Sequence, residues 1–233
     1  MPYIDQTVVE LLQRIRLLFD SSGTNVAIYT FDDQHRSLEI FCQQIWLLVS
    51  DNICRFFRLS CSLLDRLRKL SPTILRNCAN LRWIASFELF PAFPADDNAD
   101  ASCGQAVAKW LLTPRGDGLP KMLYCPLNSA EGLKESFVSA SESVNFIISF
   151  GCDDDDFMPF ELKNNWTGER LTLRHSNKDN WLLVRCPIVR EEDKWAKWEK
   201  EAEWDNEDEW EWGCQWNFIS INFEDGDIGD GMG

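Results

Sequence analysis

The chain is poor in the residues from which most active sites are assembled. Histidine occurs only at His35 and His175, and neither lies in the spacing of a metal site or a catalytic triad. Both are read as surface polar residues. A Cys-x-x-Cys pair, a glycine-rich phosphate loop, a nucleophile elbow and a paired-carboxylate arrangement are all missing, which removes the commonest signatures of redox, nucleotide and hydrolytic chemistry. No apolar run approaches the length that spans a bilayer, and the opening Met1-Pro2-Tyr3-Ile4-Asp5 has neither the basic nor the apolar segment of a secretion signal. No catalytic residue, cofactor or metal ligand is assigned.

Positive charge is scarce as well. The chain holds 23 Lys and Arg against 38 Asp and Glu, a net charge of −15, and the imbalance is concentrated: 14 basic against 16 acidic side chains in residues 1–150, 9 against 22 in residues 151–233. A field of that sign repels phosphate backbones and anionic headgroups. No nucleic acid or membrane partner is expected, and a basic protein face fits better.

What is present is a fold. With 233 residues, 45 % of them apolar, the chain can bury a sizeable core. Nine cysteines, an odd number, sit mostly inside apolar segments, where they read as small buried hydrophobes in reduced form. That implies a reducing compartment, cytoplasmic or nuclear.

Up to Phe150 one unit keeps returning: an amphipathic helix, a turn and a short apolar strand. Val8, Leu11, Leu12, Ile15, Leu18 and Phe19 share a helical face, with Asp5 as cap and Gly23 beyond the last turn; the strand Val26 to Thr30 follows. Leu38, Phe41, Ile45 and Leu48 mark a second helix, and Cys54 to Leu59 its strand. Leu63, Leu64 and Leu67 begin the third, which restarts at Ser71-Pro72 with Ser71 as cap and leads to the strand Leu81 to Ala85. A helix capped near Ser102 and carrying Val107, Trp110 and Leu111 precedes Lys121 to Cys125; another with Leu133, Phe137 and Val138 precedes Val144 to Phe150.

The strand starts are separated by 28, 27, 40 and 23 residues. Periods in the twenties with one helix and one strand each suggest an α/β fold, a divergent leucine-rich-repeat-like solenoid with a parallel sheet and helices on one side. From Gly151 the grammar changes. Phe160 to Lys163 and Leu171 to Arg174 form a hairpin, Trp181 to Cys186 adds a strand, and this antiparallel meander is expected to close the sheet. A charged helix, Glu191 to Trp204, and a last strand, Asn217 to Phe223, complete the cap. The organisation expected is residues 1–150 as solenoid, 151–224 as cap and 225–233 as a disordered tail.

Few motifs invite chemistry. Asp153 to Asp156 suggests calcium, but adjacent side chains splay apart where a calcium loop alternates its ligands. The Gly/Asp tail from Asp225 has the same weakness. Arg115-Gly116-Asp117-Gly118 contains an adhesion tripeptide, for which turn chemistry is the simpler account. Asn165-Trp166-Thr167 is formally a glycosylation acceptor, relevant only in the secretory pathway. Eight of eleven tryptophans lie from Trp166 onward; Trp181 and Trp195 are assigned to the core, Trp210 and Trp212 to exposed contacts.

Several strings together resemble a known family. They are Phe90-Pro91-Ala92-Phe93-Pro94-Ala95-Asp96-Asp97, Ala108-Lys109-Trp110-Leu111 with Thr113 to Lys121, Pro159 to Asn165, and Trp181 to Ile188, joined by Asp193 to Lys200 and the ending Asp227 to Met232. They are similar to the long C-terminal, F-box-associated region of an F-box protein family expanded in plant-parasitic nematodes. The resemblance implies the substrate-recognition half of a cullin-based ubiquitin ligase: a non-enzymatic interaction domain whose unknown protein partner is a ubiquitination substrate. No F-box is legible in the chain, so docking on the ligase adaptor is not expected of it. The alternatives are a metal-dependent enzyme or metal-binding protein using the acidic loop 153–156, and a truncated paralogue without independent function.

Overall fold

The computed structural model describes residues 23–29, 34–126, 129–151, 157–176, 180–203 and 218–221. The first strand, Thr24–Ile28 (β1), is buried along its whole length, as a strand covered on both faces must be. Next come His35–Ile40 (α1), a π-helical turn Phe41–Ile45, Trp46–Val49 (α2), Ile53–Phe57 (β2), Cys61–Leu70 (α3), Ile74–Asn77 (α4) and Trp83–Ala85 (β3). Cys103–Leu111 (α5), Lys121–Tyr124 (β4), Glu131–Val138 (α6) and Phe146–Gly151 (β5) follow, then Phe160–Asn164 (β6), Glu169–His175 (β7), Asn180–Pro187 (β8), Glu192–Ala202 (α7) and Phe218–Ile221 (β9).

All nine strands form one mixed sheet in the order β6-β7-β8-β5-β4-β3-β2-β1-β9. Strands β1 to β5 are parallel neighbours in chain order, as the repeated helix-strand unit requires. One register row, Ile219, Val26, Phe56, Ile84, Leu123, Ile148, Leu183, Leu173 and Phe160, crosses the whole sheet. Being in register, these side chains share a face, and that face packs on Leu38, Phe41 and Trp46, on Leu63 and Leu67, and on Val107, Leu111 and Phe137 of the helices.

The expected architecture needs three corrections. The meander does not close the sheet: β8 pairs antiparallel with β5 and simply extends it, so β6 becomes an edge. The final strand does not stay with the meander either; β9 lies parallel to β1 and forms the opposite edge. Nor are the helices all on one side. Trp195, Trp198 and Ala202 of α7 pack on Trp83, Met122, Ile147, Leu182, Val184 and Cys186, the residues of alternate parity to the row above. Strands β3, β4, β5 and β8 are apolar at both parities, and each side needs a cover.

Local signals fared better. Ser60 caps α3 through the Leu63 amide, and Ser102 caps α5 in a reciprocal capping box with Gln105. Ser71 is not a cap; α4 starts after Thr73, and the Ser71 hydroxyl meets the Thr73 hydroxyl at 3.3 Å. Val138, placed by its spacing on the inner face of α6, is exposed.

Cysteine pairing was also misjudged. Cys61 and Cys103, each the first residue of a helix, form a disulfide. Their Cα atoms are 5.8 Å apart, inside the range a bridge spans, and nothing in their separation along the chain signals that. Cys42, Cys78, Cys125 and Cys186 are buried thiols. Burial pushes Cys42 up to about 11 and Cys78 and Cys125 up to about 12, so they pack as hydrophobes rather than react. Helix Val8 to Phe19, the acidic loop Asp153 to Asp156, Trp210, Trp212 and the tail 225–233 lie outside the described residues.

Candidate functional site

Two concavities open at the end of the sheet where β3, β4 and β5 begin, and the loop from α5 into β4 contributes to both. The first, of about 240 Å³, lies in the helix layer and is lined by Arg76, Cys78, Trp110, Thr113, Arg115 and Lys121, among others. Lys121 is two residues before Leu123 and therefore points to the helix face. There its ammonium donates to the carbonyl oxygens of Trp110 and of Thr113, the latter at 2.7 Å, closing the C-terminal turn of α5, where the helix dipole favours a cation. Burial, reinforced by Arg115 and then Arg76, pushes this lysine down to about 7.

The two arginines are held in place by carboxylates behind them. Arg76 forms a two-point pair with Asp97, one arm of it at 3.1 Å. Arg115 grips Asp117 at 3.0 and 2.6 Å and donates to the Leu81 carbonyl at 3.0 Å. The hydrogen bonds from Arg115, opposed by burial and helped by an amide from Leu119, leave the Asp117 carboxyl below its ordinary range. Gly118 turns the chain with φ +72°, a conformation that costs glycine nothing. The adhesion tripeptide is thus a turn closed on itself, as its composition suggested. Among the described residues no carboxylate lines the cavity, and its charged wall is Arg76, Arg115 and Lys121. Trp110, 1 % exposed, also lines it, and its indole Nε1 has no hydrogen-bond partner among the described residues.

The second concavity, about 400 Å³, opens on the side of α7 between Gly118, Asn145, Pro187, Val189, Lys194, Trp195 and Trp198. Trp195 and Trp198 meet edge to face at 5.3 Å, and the Arg190 guanidinium lies 5.0 Å over the Trp195 ring. At this groove Val189, next to the exposed Ile188, presents an apolar side chain to solvent. The Ile188 amide donates to the Gly168 carbonyl, tying the chain after β8 to the β6–β7 turn. Asn164 donates to the carbonyls of Phe137 and Ala140 and ties that turn to the end of α6. Val138 (68 % exposed), Trp166 (84 %) and Val189 (91 %) are brought to one end in this way.

Other residues singled out in the sequence are placed as follows. Trp181 and Trp195 are buried, as expected. His175 lies on the Trp181 ring at 3.6 Å, and His35 is exposed beside Arg66. Asn165 is exposed. Among the described residues one cluster brings metal-ligating atoms together, Cys61, Asp65 and Cys103, but its two sulfurs are bonded to each other. At the opposite end of the parallel strands Arg58 holds a left-handed backbone, φ 54°, with its guanidinium 4.9 Å over Tyr29 and 5.8 Å over Phe87. Such a conformation in a non-glycine residue is uncommon.

Arg76 and Lys121 carried no signal as site residues. They sit on separate segments with no shared motif, and only the parallel pairing of β3 and β4 brings the segments together. Compared with protein-family models, curated proteins and solved structures, the chain matches none. No helix among the described residues is long and apolar enough to cross a membrane.

Proposed function

We propose that this chain is a non-enzymatic protein-binding module, similar to the substrate-recognition region of an F-box protein, that holds its partner with the apolar end of its antiparallel half. The observation that carries the reading is a set of exposed apolar side chains on the antiparallel half and its neighbouring turns, Val138, Trp166, Ile188 and Val189, of which Val189 lines the Trp195–Trp198 groove. Large apolar side chains gathered around aromatic anchors are what protein interfaces use at their centre. The charged groups of the groove are paired within the chain, Lys194 with Glu191 and Arg190 with Glu192, so the preference for a basic partner rests on the acidic balance of residues 151–233.

The parallel half supports the same reading. Its five strands pair in chain order, covered by α1 to α6 on one face and in part by α7 on the other, and we read this repeated helix-strand half as a divergent leucine-rich-repeat-like base for the binding surface. A module of this kind works in the cytoplasm or nucleus. In those reducing compartments the Cys61–Cys103 bridge is expected to open, so it is not counted as a structural staple.

The test is a pair of affinity captures, with the wild-type chain and with Trp166→Asp/Val189→Asp, whose exposed positions leave folding intact by circular dichroism. Proteins enriched by the wild type and lost by the variant support the reading. Identical capture by the two chains, or no enrichment with either, overturns it. Grafting an F-box onto the same pair then asks whether the captured protein becomes ubiquitinated in a surface-dependent way.

A further inference from the structure

The cationic cavity stands apart from that surface and is unusual in so acidic a chain. Three segments, Leu75 to Leu81, Trp110 to Gly116 and the start of β4, converge on about 240 Å³ of space, enough for several waters or one tetrahedral oxyanion. Asp97 and Asp117 each face an arginine, yet neither carboxylate lines the space. Among the described residues, the groups within hydrogen-bond reach of Lys121 are the carbonyl oxygens of Trp110 and Thr113. The lining of the cavity is therefore cationic in character: Arg76 and Arg115, each braced by a carboxylate set back from the space, and Lys121, whose charge burial disfavours.

Its second property is an orphaned donor. Buried N–H groups nearly always find an acceptor, and one that has none loses the full cost of its desolvation. Trp110 Nε1 is such a group, on a side chain 1 % exposed that lines this same space. An acceptor-only ligand carrying negative charge answers both observations, because it supplies a partner for the indole and balances the cations. Arginines already braced by carboxylates are preorganised, so little side-chain freedom is lost on binding.

We propose that the cavity between α4, α5 and the start of β4 is a binding site for a phosphate-sized oxyanion, with Arg76, Arg115 and Lys121 as its charged wall and Trp110 Nε1 as a neutral donor. The overall charge of −15 does not forbid this. Charges more than a Debye length away, about 10 Å at 0.1 M salt, are largely screened, whereas groups in a partly buried cavity act almost in full. The same chemistry is presented by free phosphate and by a phosphorylated side chain.

The test uses the full chain and inorganic phosphate. The indole N–H resonance of Trp110 should move saturably as phosphate is added, and calorimetry should give one site with Kd below about 1 mM at low salt. Arg76→Gln/Arg115→Gln should weaken binding at least about tenfold, as the loss of charged hydrogen bonds does. Arg174→Gln, a charge change on β7 outside the cavity, should leave it unaltered. Should the double variant fail to fold, Trp110→Phe and the wild-type resonance decide the matter. A phosphoserine peptide that competes with phosphate marks a partner side chain as the source, and binding of phosphate alone marks the free anion; either supports the site. A Trp110 resonance that stays fixed up to about 20 mM phosphate, a range that leaves even a weak millimolar site mostly filled, overturns the proposal, as does equal weakening by Arg174→Gln.

Discussion

On the face covered by α1 to α6 the sheet meets apolar side chains almost everywhere, and the ion pair that its described strands hold there, Arg185 with Glu169, is sealed in. Those side chains are 2 % and 1 % exposed, 2.7 Å apart, and satisfied further by the Glu142 carbonyl and the Val144 amide. On the other face one helix among the described residues, α7, docks through Trp195, Trp198 and Ala202, and most of its ion pairs are partly open to water, the Arg190–Glu199 pair being the more enclosed. Glu201 reaches Arg55 and Arg82, Glu199 reaches Arg174 and Arg190, and Glu192 reaches Arg170 and Arg190. The same chemistry therefore acts in two dielectrics. Where water is excluded a lost partner strands a charge, and where water remains the solvent replaces it.

The largest effect should come from the sealed pair. Glu169→Ala strands Arg185 and is expected to cost about 3 to 5 kcal/mol in denaturant unfolding; a cost near that of a surface change would erase the distinction between the faces. Trp195→Ala should cost about 2 to 3 kcal/mol, at or below the low end for a buried aromatic, because α7 can undock without unfolding the sheet. Hydrogen exchange should then show the α7 amides opening first, since eleven residues of helix do not persist alone.

Lys121 sharpens the comparison from inside the helix layer. Its folded-state value, about 7, is below its unfolded value, so between the two the unfolded chain binds the extra proton and stability rises with pH. The groups around it are Arg115 and Arg76, with Asp117 and Asp97 behind them. Relative to Lys121→Met, the wild type should gain about 1 to 2 kcal/mol between pH 7 and pH 9 in parallel urea titrations. A flat difference would mean that water reaches the ammonium freely. The smallest effect belongs to the open pairs: Glu201→Gln should cost about 1 kcal/mol or less, and less again in 1 M salt.

Much of the parallel half was legible because its signals are local. Ser102 announces a helix start, and the apolar strands recur at near-regular intervals, so the adjacency of β1, β2 and β3 followed from the repeating unit. The far end of the chain was harder to place. Phe218–Ile221 alternates like any edge strand, and alternation does not say which edge; pairing with β1 is a long-range choice. For α7, spacing correctly grouped Trp195, Trp198 and Ala202 on one face, but the partner of that face was invisible.

The candidate sites divide in the same way. Arg115 to Gly118 could be read as a turn because every contact that makes it one lies within five residues or on the adjoining strand lead-in. The cationic cavity could not be read, because Arg76, Trp110 and Lys121 converge only when the parallel strands align. Nor could the Cys61–Cys103 bridge, which needs the first turns of α3 and α5 to meet.

By itself, then, the amino-acid order determined where helices begin, which segments are strands and which strands stand side by side, since capping, turn chemistry and apolar spacing act over a few residues. The tertiary structure alone decided that the sheet stays open, that α7 crosses to its second face and that three cations share one cavity. These outcomes depend on contacts between segments far apart in the chain, whose free energy is realised only when the whole sheet is assembled and water has left it.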